Sequence, residues 1–191
     1  MRVIAGRLGR RVLEAPAGMA TRPTSDRLRE TLFNVLAPRI ENARFLDLYA
    51  GSGAVGIEAA SRGASNVVLV ERADPALKIL RGNLEKLGLR GEVRVEPVSV
   101  TAFLRKVRPE SKNFVFDIVF LDPPYDAREE YSAALGLLGG DASRLLAKDA
   151  LVIAEHRRKE KLEVRYGVLE RTRLLEQGDA SLSFYNTSPG H

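Results

Sequence analysis

Phe114-Val115-Phe116-Asp117-Ile118-Val119-Phe120-Leu121-Asp122-Pro123-Pro124-Tyr125 is the stretch on which the reading of this chain turns. Seven of its first eight residues are apolar, most of them β-branched or aromatic. That is the composition of a strand buried on both faces of a parallel sheet. Asp122-Pro123-Pro124-Tyr125 closes the strand, and in open α/β sheets ligands bind just beyond the carboxyl ends of the strands. The tetrapeptide therefore stands where chemistry is usually done.

Outward from it, the chain alternates strand and helix patterns from residue 44 onward, which argues a parallel α/β sheet. Strands are expected over Phe45–Tyr49, Asn66–Val70, Val93–Val95, Phe114–Leu121 and Leu151–Glu155. One helix follows the glycines and ends at Gly63. The next is capped by Asp74 and started by Pro75, with the stripe Leu77, Leu80, Leu84 and Leu87 before Gly88. Thr101–Val107 and Glu129–Leu138 read as further helices. Val164–Leu175 and Ser181–Thr187 flank Gln177-Gly178-Asp179 as a closing β-hairpin. Ahead of the sheet, Val3-Ile4 and Val12-Leu13 flank a Gly6–Arg11 turn. Thr24 or Ser25 then caps a helix whose stripe is Leu28, Leu32, Val35 and Leu36. This predicts a small hairpin-and-helix extension over 1–39 and an α/β domain over 40–191.

The 191 residues are enough for one domain with a real core. The absence of cysteine excludes disulfides, thiolate metal sites and a cysteine nucleophile, and fits a reducing cytoplasm. His156 and His191 lack metal-ligand spacing, so no metal is expected, and no apolar run approaches a membrane span. Met1–Pro16 lacks the apolar core of a signal peptide, which points to a cytoplasmic protein. Of the 30 basic and 25 acidic residues, eight arginines and three acids fall within residues 1–39, leaving 22 of each sign elsewhere. The net charge of +5 thus lies in the N-terminal fifth and is carried by arginine, whose forked donors suit phosphates. That is an electrostatic footprint for nucleic acid.

Gly51-Ser52-Gly53-Ala54-Val55-Gly56 lies between a strand and a helix, with Glu71 at the end of the next strand. The pattern is that of a dinucleotide site, glycines giving a tight turn and an acid meeting ribose hydroxyls. The same parts hold the adenosine of S-adenosylmethionine. Asp47 favours the methyl donor, because its charge would meet an amino group and repel a pyrophosphate. Asp-Pro-Pro-Tyr favours it too. An exocyclic base amine is a weak nucleophile, and attack on a methyl sulfonium needs acceptors for the positive charge that develops. Asp122 supplies a carboxylate and Pro123 a carbonyl, neither Pro123 nor Pro124 offers a competing N–H, and Tyr125 gives a flat surface for an unstacked base.

Together these residues resemble the bacterial small-subunit (16S) ribosomal RNA guanine-N2 methyltransferases. The likeness runs through Arg2-Val3-Ile4-Ala5-Gly6, Arg22-Pro23-Thr24, Asp26-Arg27, Arg29-Glu30 and Leu32-Phe33-Asn34. It continues through Leu46-Asp47, Ala50-Gly51-Ser52-Gly53-Ala54, Glu58-Ala59, Asp122-Pro123-Pro124-Tyr125 and Ser183-Phe184-Tyr185. The Arg-Pro-Thr stretch is its specific part. The resemblance implies a Rossmann-like class I methyltransferase, its mostly parallel twisted sheet ending in an antiparallel hairpin. It implies S-adenosylmethionine as donor, S-adenosylhomocysteine as product, and 16S ribosomal RNA in a partly or fully assembled small subunit as acceptor. The enzyme is expected to be a monomer without metal or membrane partner. Asp47, Ala50, Gly51, Ser52, Gly53, Glu71, Arg72, Ser99, Val100 and Asp122 would line the donor site. Ser99 stands where such proteins often carry an acid or amide toward the adenine. Asp122, Pro123, Pro124 and Tyr125 would hold the acceptor, while Arg7, Arg10, Arg11, Arg22, Thr24, Arg27 and Arg29 bind RNA. Other readings of the same residues are DNA adenine or cytosine methylation, protein glutamine methylation, a nicotinamide-dependent oxidoreductase and a non-catalytic RNA-binding assembly factor.

Overall fold

The computed structural model describes residues 1–15, 26–106, 115–124 and 128–188. After α1 (Asp26–Leu36) come β1 (Arg44–Leu48), α2 (Ala54–Ser61), β2 (Asn66–Val70), α3 (Asp74–Lys86), β3 (Val93–Glu96) and α4 (Val100–Lys106). Then follow β4 (Phe116–Leu121), α5 (Arg128–Gly139), a 3-10 turn, β5 (Leu146–Arg157), β6 (Arg165–Tyr166), β7 (Leu169–Gln177) and β8 (Ala180–Thr187). The strands make one sheet in the order β3-β2-β1-β4-β5-β8-β7-β6. The first five pair in parallel, as the strand patterns predicted, and the last three add antiparallel; β7 and β8 are the expected closing hairpin, but the strand expected over Val164–Leu175 is broken at Gly167, where φ is +55°, which leaves β6 as a separate short strand.

Alternation along the strands divides the core between the two faces. Phe45, Ile118, Phe120 and Ile153 pack with α1, α2 and α3, and Leu46, Leu48, Val119 and Val152 pack with α4 and α5. β5 begins five residues before the expected start at Leu151, because Lys148 and Asp149 interrupt the apolar pattern where the strand is still exposed. Asp74 is the first residue of α3 and not its cap. Ala73 holds the cap position and gives no side-chain bond.

The N-terminal residues are built into this core. Val3, Leu13, Leu28, Leu32, Phe33 and Leu36 share one apolar cluster with β1 and α2. Residues 1–13 form a miniature hairpin closed by the Arg2–Val12 bridge. It docks on the end of α2 through Glu58, a carboxylate with no solvent exposure. Glu58 Oε2 accepts from Ile4 N at 2.7 Å, and Oε1 accepts from Ala5 N at 3.0 Å and Arg62 Nε at 2.7 Å. One helix turn on, Ser61 Oγ accepts from Leu8 N at 3.0 Å and donates to Ala5 O at 2.6 Å. Gly6 lets the two chains come this close: its φ is +78°, and a side chain there would overlap the Ser61 carbonyl.

Removing one partner from a buried charge network strands the others without solvent. Glu58→Ala is therefore expected to lose about 3–5 kcal/mol of unfolding free energy. Urea unfolding followed by circular dichroism measures this, and Glu58→Gln should recover part of the loss.

Candidate functional site

The strand order reverses between β1 and β4, so helices leave the two strands over opposite parts of the sheet and a crevice opens above their carboxyl ends. Leu48 pairs with Leu121, which brings Tyr49 and Asp122 to the same height. Asp47 lies one step below on β1, opposite Phe120.

The glycine loop is braced from beneath and from the side. Asp47 is 2% exposed, and its Oδ2 accepts from Gly56 N at 3.0 Å. A side chain on Gly56 would overlap Leu69, so this glycine sets how closely α2 approaches β2. Gly51 has φ +56°, and a Cβ built there meets nothing within 4 Å. The loop therefore presents backbone to open space at that point, as a ligand-cradling loop must. The Glu71 carboxylate accepts from Gly51 N at 2.9 Å, and from Arg72 N and Ala73 N at 2.8 Å each. It holds the loop against the end of β2 with three N–H groups on its two oxygens, which leaves about one lone-pair site unused. Asn83 of α3 donates to Ser52 O at 3.0 Å and exchanges two bonds with the Glu14 backbone, tying the N-terminal segment to the same loop.

Burial pushes the Asp47 carboxyl up to about 8, opposed by the Gly56 N–H and assisted by Glu71. Asp47 is thus largely neutral at pH 7 in the unliganded protein. The expected repulsion of a pyrophosphate, which needs an ionised carboxylate, is correspondingly weak. A cationic amino group arriving nearby would favour the ionised form.

Asp122 directly follows β4 and keeps a partly exposed surface. Its carboxyl is held well above the usual carboxylate range, by burial first and then by Glu155 and Asp47. Pro123 is buried and Pro124 exposed. Tyr125 lies outside the described residues, as do Arg22 and Thr24. Ser99 Oγ accepts from Ala102 N at 3.2 Å, capping α4, which leaves its hydroxyl one proton and one lone pair to offer elsewhere. Val100 is buried at the first position of α4.

The arginines separate into two groups. Arg7, Arg10, Arg11 and Arg27 are exposed, Arg7 in an ion pair with Glu92. Arg29 is not available to RNA. It is wholly buried, bonded to Asp26 Oδ1 at 3.0 Å and to Arg2 O, with Nε 3.9 Å from Glu58 Oε2. Its guanidinium joins α1 to the hairpin and α2. His156, adjacent to the basic run 157–161, is also internal, with Nε2 2.9 Å from Ser183 Oγ.

Two features of the crevice are absent from the sequence reading. Tyr49 has φ +66°, rare for a side-chain-bearing residue, and its hydroxyl donates to Glu130 Oε2 of α5 at 2.8 Å. Glu155 of β5 is 4% exposed beside Asp122. The signal for it was present: an acid closes an apolar strand there, as Glu71 and Asp122 do for theirs.

The family model described as "Conserved hypothetical protein 95" matches residues 1–186. Ribosomal RNA small subunit methyltransferase D of Escherichia coli (strain K12) is 39% identical over 155 residues, 81% of this chain and 74% of that protein. A Bacillus subtilis (strain 168) protein provisionally named an rRNA methyltransferase is 36% identical over 185 residues, 97% of this chain and 98% of its own. A solved structure of a hypothetical protein from Thermus thermophilus superposes with TM-score 0.80 at 32% identity, covering 96% of this chain and 98% of that one. With the glycine loop and Asp122-Pro123-Pro124 at the carboxyl edge of such a sheet, the chain belongs to the conserved hypothetical protein 95 family.

Proposed function

We propose that this protein transfers a methyl group from S-adenosylmethionine to the exocyclic N2 amine of a guanosine in small-subunit ribosomal RNA. The observation that carries the reading is the height match across β1 and β4. It brings the glycine loop, braced by Glu71, level with Asp122, which supports reading an adenosyl site next to an amine site. The names of the relatives support ribosomal RNA methylation within the same family.

The bound donor supplies an electrophilic methyl on a sulfonium. The chain's own residues do the rest. Glu71 accepts from the ribose hydroxyls, and Gly51, Ser52 and Gly53 pass beneath the adenosyl group. Asp47 anchors the loop and meets the amino group, while Ala50, Arg72, Ser99 and Val100 border the nucleoside. Asp122 and the Pro123 carbonyl accept from the two N–H groups of the amine, which localises its lone pair and stabilises the charge that forms on nitrogen. Tyr125 is assigned the face of the flipped base. Arg7, Arg10, Arg11 and Arg27, with Arg22 and Thr24, hold RNA phosphates within an assembling or assembled subunit. No helix among the described residues is long and apolar enough to cross a membrane.

Asp122→Ala should lower methyl transfer to small-subunit RNA by roughly 10²–10³-fold, the usual cost of one preorganised group at the reacting centre. Calorimetry should show donor affinity within about twofold of the parent. Loss of donor binding would overturn this division of roles. Gly51→Ala should do the reverse, weakening the donor by about tenfold or more, because alanine at φ +56° is strained by roughly 1–2 kcal/mol and fills the cradle. Thermal-shift titration with S-adenosylmethionine and, separately, with NAD reads this and tests the oxidoreductase alternative in the same series.

A further inference from the structure

Asp122 has a neighbour of its own kind. In the parallel ladder of β4 and β5, Phe120 pairs with Ile153 and Leu121 with Ala154. Carried one step past the end of β4, that register sets Asp122 beside Glu155, and Glu155 acts on the Asp122 carboxyl through its charge. Phe120 and Ile153 both belong to the apolar cluster on the α1–α3 face, so alternation points Asp122 and Glu155 to that face together. Glu155 is nine-tenths or more buried, and the Tyr131 hydroxyl on α5 holds its backbone carbonyl at 2.8 Å. Among the described residues no group of three or more His, Asp or Glu side chains converges to hold a metal ion. The elements packed around the pair bring further groups toward it. Asp47 of β1 is a third acid, β8 sets the apolar Leu182 opposite Glu155, and Arg29 of α1 is engaged by Asp26 and Glu58. His156 lies one residue on, so on the other face, bonded to Ser183 and Arg157.

Two carboxyls that share a site, one of them almost wholly buried and the other partly so, do not readily ionise together; they hold one proton between them. We infer that Glu155 is a positioning residue for the transfer reaction: it shares a single proton with Asp122 and so leaves one Asp122 oxygen as an acceptor for the target amine. This rests on the methyl-transfer reading of the site. In the step, the amine lone pair forms the N–CH3 bond as the S–CH3 bond breaks, and the sulfur keeps that bond's electron pair. The nitrogen, now positive, gives a proton to Asp122, and the doubly protonated pair then releases one proton to solvent. Without Glu155, Asp122 would ionise at lower pH and meet the amine without a shared proton to fix its orientation.

The test reads Asp122 directly and does not depend on the RNA. In protein labelled with ¹³C at aspartate carboxyls, the Asp122 resonance, assigned by its loss in Asp122→Asn, is titrated in the parent and in Glu155→Gln. Glutamine keeps the size and removes the charge. The expected result is an Asp122 midpoint lower by about one pH unit or more in Glu155→Gln. The pH profile of the methyl-transfer rate should change with it while the Kd for S-adenosylmethionine holds. An unchanged Asp122 midpoint would overturn the proposal. A shifted midpoint in a protein that methylates no ribosomal RNA would leave the pair standing and refute the assigned reaction instead. If Glu155→Gln does not fold, Glu155→Asp replaces it; a shorter acid that leaves both midpoint and pH profile unmoved would also overturn the inference.

Discussion

The register between β1 and β4 is the constraint on which the site depends. Arg44, at the start of β1, forks onto Asp117 of β4, with Nε 2.9 Å from Oδ2 and Nη2 2.8 Å from Oδ1, while its own backbone N–H reaches Oδ2 at 2.8 Å. Hydrogen bonding to Arg44 holds the Asp117 carboxyl below the usual range despite its partial burial. The pair is about one third exposed, so its energetic worth is modest, but its two-pronged geometry fits one alignment. A slip of one residue would turn every side chain of a strand to the other face. Asp47 would leave α2, and Asp122 would leave the crevice. With the fork at the amino ends, Leu48 meets Leu121 at the carboxyl ends, where the glycine loop and Asp122 follow their strands.

The second organising element is the buried network around Glu58. It converts an arginine-rich segment into a fixed part of the molecule. Ile4, Ala5, Arg29 and Arg62 converge on one carboxylate, so the exposed Arg10 and Arg11 ride on a hairpin anchored to the same helix that follows the glycine loop. Asn83 adds a second tie by bridging Glu14 to Ser52. Displacement of the arginine-bearing hairpin would therefore be felt at the loop through a few hydrogen bonds. On the proposed function, RNA contact at the hairpin and donor contact at the loop would share one frame.

Much of this was legible in the sequence because the physics behind it is local. The Phe114–Leu121 run reads as a doubly buried strand whatever surrounds it, and β4 lies within it. Asn66–Val70 was placed to the residue, and spacing alone picked out the glycine loop and Glu71, which the structure joins through Gly51 N. What the sequence withheld depends on partners far along the chain. Arg29 counts as polar in a helical stripe and so reads as a surface residue until Glu58, 29 positions later, is seen beside it. Glu155 reads as the polar end of a strand until the β4–β5 pairing sets it next to Asp122. His156 reads as part of a basic run until β5 proves longer than its apolar core and carries it inside.

The central claim is the identity of the methylated atom, and the product nucleoside reports it most directly. Small-subunit ribosomal RNA, free and within isolated subunits, is incubated with the protein and S-adenosylmethionine bearing a deuterated methyl group, digested to nucleosides and resolved by mass spectrometry. The account predicts the label in N2-methylguanosine. Label confined to a methylated adenosine or cytidine, or no label in the RNA with either substrate, would contradict it.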